Sequence, residues 1–125
     1  MTDQQLIAAL TASCQRQLEW YRALLETAQT IVGRLAMSRG DLSSVTREFS
    51  RKKELLDSIA ADRAATTPLV VLWQERKEAI RAAGTTAALD TALHETEQVI
   101  KRFLDHEEQI KRYIERAVKA QGPAA

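Results

Sequence analysis

From Ile7 to Leu35 the apolar residues of this chain return in alternating steps of three and four: Ile7, Leu10, Cys14, Tyr21, Leu24, Ala28, Ile31 and Leu35, with Gln17 the one polar member. A period of about 3.5 residues draws a single stripe along one side of a helix and demands a facing helix to cover it. The spacing predicts a helix from an N-cap at Asp3 to about Ser38, roughly 35 residues and about 52 Å long. Gly40 should close it and Asp41 should cap the next element. Gly33 sits inside the pattern at a cost of about 1 kcal/mol relative to Ala, marking a close helix contact or early fraying.

A second stretch keeps one phase through Leu42, Val45, Phe49, Lys52, Leu56, Ile59, Arg63, Thr66, Val70, Trp73, Lys77 and Ile80, so a helix is expected from Asp41 to Ala83. Pro68 lies in its middle, where it removes a backbone donor and disfavours helical geometry at Thr67. The shared register on both sides favours a kink; the alternative is a break, with Thr66 or Thr67 capping a fourth helix. Gly84 then reads as a stop and Thr85 or Thr86 as the cap of a last helix with the seam Leu89, Leu93, Thr96, Ile100, Phe103, Glu107, Ile110, Ile114 and Ala117. Four pairs on it stand in the favourable i, i+4 order: Glu97 with Lys101, Glu107 with Lys111, Glu108 with Arg112, and Glu115 with Lys119.

Composition agrees with this pattern. Ala, Glu, Lys, Leu and Arg make up 63 of 125 residues, while Gly numbers four and Pro two, too few turn formers for a sandwich or barrel. The expected fold is all-α, an elongated antiparallel bundle of three long helices forming one domain over residues 1–120. Residues 121–125, after the Gly122-Pro123 stop, are expected to be a disordered tail. The short connections make sequential neighbours antiparallel.

The same residues argue against several functions. The net charge is +1, so nothing favours nucleic acid or an anionic membrane as partner. The basic run Arg51-Lys52-Lys53 is followed at once by Glu54 and has no aromatic neighbours to stack bases. The longest apolar run, Leu69 to Trp73, is far short of the roughly 20 residues that cross a bilayer. No secretory signal is read at the start, and Cys14 has no partner for an internal disulfide, so a cytoplasmic location is expected.

No enzyme is expected either. His94 and His106 lie about 18 Å apart along one helix, and the positions three residues before them hold Thr91 and Phe103 where a di-iron helix needs Glu. Cys14 lies on the seam as a small apolar packer. No catalytic residue, cofactor or metal site is read from the chain. Tyr21 falls on the seam and the adjacent Trp20 on its flank, where packing is the expected role.

What remains is surplus apolar surface on the last helix. Val99, Leu104, Tyr113 and Val118 lie beside its seam and widen the apolar arc beyond what one helix contact uses. Such an arc serves either a partner or the interior of a three-helix bundle.

The run Gly40-Asp41-Leu42-Ser43-Ser44-Val45, followed by Phe49, Arg51, Lys52, Lys53, Glu54, Leu55, Leu56 and Ile59, resembles the FlgN-type flagellar export chaperones. In that family a long first helix ends at a Gly-Asp turn, and a second begins with spaced apolar residues and a basic residue before a Leu-Leu pair. The motif covers about twenty residues, while length, helical pattern and an amphipathic last helix extend the likeness along the chain. The resemblance implies a cytosolic chaperone that holds hook-filament junction proteins unpolymerised and delivers them to the type III export machinery without nucleotide hydrolysis. An amphipathic helix of the cargo would lie on the last helix, with Val99, Phe103, Ile110, Tyr113, Ile114 and Val118 as the expected contacts. Burying ~600 to 1000 Å² there would offer about 15 to 25 kcal/mol gross, most of it offset by ordering and association. The alternative is a structural coiled-coil protein that self-associates through the same stripe and carries no cargo.

Overall fold

The computed structural model describes residues 1–121, which form three long helices: α1 Asp3–Met37, α2 Thr46–Ala82 and α3 Ala87–Gln121. A 3-10 turn, Leu42–Val45, leads into α2, so the second helix starts five residues later than its seam suggests. The chain is an all-α three-helix bundle, in which α1 and α3 run parallel and α2 antiparallel to both. Among the described residues no helix is long and apolar enough to cross a membrane. Of the expected disordered tail, Gln121 still belongs to α3. The rest of the tail lies outside the described residues.

Local chemistry sets the ends. Thr2, not Asp3, is the N-cap of α1: its hydroxyl accepts from the Gln5 N–H at 3.1 Å while the Gln5 side-chain oxygen accepts from the Thr2 N–H at 2.9 Å. Each group satisfies an orphan donor of the first turn. Asp3 is then free to place its charge at the positive end of the helix. At the other end the Gly40 N–H reaches back to the Leu35 carbonyl at 2.7 Å, the closing bond of a Schellman motif. That geometry puts Arg39, with φ +54°, in the left-handed position normally held by Gly. Asp41 caps the turn as expected, accepting from the Ser43 N–H at 3.1 Å. Gly84, at φ +75°, stops α2.

Pro68 neither breaks α2 nor starts a fourth helix. Thr66 and Thr67 do not act as caps; their hydroxyls fold back to donate to the carbonyls of Asp62, at 2.9 Å, and Arg63, at 3.1 Å. Loss of one helical bond is outweighed by buried anchors on both sides, Ile59 and Ile80. Several seam assignments shift by one residue, Leu18 being buried in place of Gln17 and Ala92 in place of Leu93 among them. Leu6 is fully buried in place of Ile7, and Leu55 in place of Leu56, which is 42% exposed. A side chain built on Gly33 would meet nothing within 4 Å, and the residue lies within an unbroken helix, so it marks neither a close contact nor fraying.

α1 is the hub. It packs along both other helices, whereas α2 and α3 scarcely approach each other. The main core is built on Tyr21, Leu24, Ala28, Ile31 and Leu35 of α1, with Val45, Leu55 and Ile59 on one side and Phe103 and Ile110 on the other; Trp20 packs at its edge. A second, smaller cluster gathers Cys14, Leu89 and Ala92 with Leu10 and Trp73 at the opposite end. Of the four pairs expected on α3, only Glu108–Arg112 closes among the described residues, at 3.9 Å. Glu107 instead binds Lys52 of α2 at 2.8 Å, and Lys111 turns to Glu115 at 4.0 Å.

Candidate protein-binding groove

A trough of about 490 Å³ opens between α2 and α3, over α1, at the small-cluster end. Leu10, Ser13, Cys14 and Gln17 of α1 form its floor, Arg63, Thr66, Val70 and Trp73 of α2 one wall, and Leu89, Leu93, Thr96, Glu97 and Ile100 of α3 the other. The apolar members are brought together by helical spacing: Thr66, Val70 and Trp73 repeat every three or four residues on α2, as do Leu89, Leu93, Thr96 and Ile100 on α3. Val70 and Leu93 remain 44% and 41% exposed, which leaves their side chains on the open rim.

The polar groups of the trough are mostly satisfied from within. Cys14 Sγ lies 3.6 Å from the Thr96 hydroxyl, which donates to the Ala92 carbonyl at 2.7 Å. Beneath the α2 wall, Asp62 accepts from Ser13 Oγ at 2.6 Å, Gln17 Nε2 at 2.9 Å and Arg16 Nε at 3.0 Å. Burial pushes this carboxyl up, but those three hydrogen bonds and the charge of Arg16 outweigh it and hold Asp62 below the ordinary carboxylate value. Arg63 donates to the Tyr21 hydroxyl at 2.9 Å and lies over its ring. Its guanidinium has further N–H groups, and it forms no ion pair among the described residues. Glu97 on the opposite wall forms none either, so the rim carries one charge of each sign.

The six residues expected to contact a partner divide sharply. Phe103 and Ile110 are buried in the main core at 7% and 1% exposure and cannot touch another molecule without opening the bundle. Val99 and Tyr113 pack against that core as half-buried neighbours, and Tyr113 Cδ1 also lies 3.8 Å from where a side chain on Gly40 would begin. Ile114 and Val118 are exposed, at 37% and 64%. None of the six lines the trough.

The trough itself escapes a reading of α3 alone, because its floor and walls come from three helices. A signal was present in the second seam, where Arg63 and Thr66 occupy positions that a tightly closed interface would fill with apolar side chains.

Among the described residues no group of three His, Cys, Asp or Glu side chains converges. Compared with protein-family models, curated proteins and solved structures, the chain matches none.

Proposed function

We propose that this protein is a helix-binding carrier of the FlgN type, a cytoplasmic export chaperone that holds the terminal helix of a hook-filament junction protein in the α2–α3 trough and presents it to the type III export machinery. The observation that carries the reading is the trough over Cys14, a three-walled, mainly apolar channel about three helical turns long. A helix laid there converts the open end into a four-helix arrangement and removes Val70, Leu93 and Trp73 from water. Arg63 and Glu97 on opposite walls select a cargo helix with an acidic residue towards α2 and a basic one towards α3. The Gly40-Asp41 turn and the Leu55-Leu56 pair supply the flagellar part of the reading.

The test is titration of a junction protein's terminal segment into wild type and into a Val70→Asp, Leu93→Asp double variant, read by calorimetry. Both positions are rim-exposed, so helicity should survive. The reading requires wild type to bind one to one and the variant to lose roughly a hundredfold or more in affinity. Equal binding by a helical variant would sink it.

A further inference from the structure

Beyond the trough, α3 carries a second ordered feature. Leu93, Glu97, Ile100, Leu104, Glu107, Lys111, Ile114 and Val118 succeed one another in unbroken steps of four and three, and so share one face. Along the part past the trough, Leu104 is 56%, Ile114 37% and Val118 64% exposed. We propose that two copies of this chain pair through this face, with their α3 helices antiparallel over residues 100–118 and Glu107 of each opposite the partner's Lys111.

The register is specified by the sequence of the stripe. Setting Glu107 against the partner's Lys111 also sets Leu104 against the partner's Ile114 and Ile100 against the partner's Val118. Two ionic layers then lie at the centre and two apolar layers at each end. A shift of one heptad towards the N-terminus opposes Leu104 to the partner's Glu107 and Ile100 to the partner's Lys111. One heptad the other way opposes Glu107 to the partner's Val118 and Lys111 to the partner's Ile114. A parallel pair in register opposes Glu107 to Glu107 and Lys111 to Lys111. Only the proposed arrangement matches every charge with its opposite and every apolar residue with another, and it closes on itself by a two-fold axis. Glu107 already binds Lys52, but a carboxylate has four acceptor sites and its side chain keeps 31% exposure, leaving room for the second cation. The partner's α3 reaches the trough at Ile100, where dimer and cargo sites adjoin.

Sedimentation equilibrium of the full chain, from low to high micromolar concentration, tests this. Wild type should approach twice its 14.0 kDa mass. Lys111→Glu and Glu107→Lys should each weaken self-association by roughly tenfold or more, and an equimolar mixture of the two should recover a one-to-one heterodimer. Leu104→Lys, at an exposed position, should remain helical and monomeric and decides the matter if Glu107→Lys fails to fold. A wild type that stays at 14.0 kDa throughout, or a Lys111→Glu or Leu104→Lys chain that dimerises as well as wild type, overturns the proposal. Cargo titration reports on the trough separately.

Discussion

Lys52 Nζ sits 2.8 and 3.1 Å from the two carboxylate oxygens of Glu107, joining helices whose backbones scarcely meet. Away from the turn where Arg81 meets Asp90, it is the one ion pair between α2 and α3 among the described residues. Lys52 is also the more buried partner, with 15% of its side chain exposed. Glu107→Gln leaves that ammonium facing a neutral amide, which should cost about 1 to 2 kcal/mol. Urea denaturation at low and high salt checks this. The penalty should shrink as salt rises, because the pair is only partly shielded from solvent.

Asp62 ties α2 to α1 through Ser13, Gln17 and Arg16, and its value is lowered on folding. A carboxyl lowered in this way contributes stability that is present above its ordinary value of 3.8 and is lost as pH falls through the lower folded value. Asp62→Asn should therefore be less stable than wild type by about 1 to 3 kcal/mol at neutral pH. The gap should narrow as pH drops below the ordinary carboxylate range. Denaturation curves for both proteins across acid pH would show two lines converging; parallel lines would remove the ionised network as the cause.

The fold was legible because it arises from local rules: seams at 3.5-residue spacing, Gly84 as a stop, and Asp41 as a cap. The errors have physical causes too. Thr2 takes the cap from Asp3 because Gln5 lies at the right distance to answer it. Leu6 and Leu55 displace Ile7 and Leu56 because adjacent apolar residues stand about 100° apart on a helix and the neighbouring helix covers only one of each pair. Phe103 and Ile110, seam residues also expected to touch a partner, are held by the core, since periodicity says which face is apolar but not which neighbour covers it. The trough is assembled from α1, α2 and α3 together, and no single segment encodes it.

Two backbone positions offer stability without new contacts. Gly33 lies mid-helix with nothing within 4 Å of a built side chain, so Gly33→Ala should add about 0.5 to 1 kcal/mol. Arg39 holds a left-handed conformation at φ +54° on an exposed turn, and Arg39→Gly should relieve about 0.5 to 1 kcal/mol there. Thermal melts of the single and double variants should show additive gains, because the two sites share no partner.

Pro68 lies within α2, exposed, between two residues that line the trough, Thr66 and Val70. It removes the N–H that would bond the Ala64 carbonyl, and its ring crowds that carbonyl. Pro68→Ala should restore the bond and raise stability by about 1 to 3 kcal/mol by urea denaturation. A local rule broken without structural gain is expected where function needs the departure. The expected outcome is therefore twofold: a more stable bundle, and weaker capture of the cargo helix as the restored bond shifts Thr66 and Val70 on the α2 wall. Increased stability with unchanged cargo affinity would show that the proline does not set the spacing of the walls.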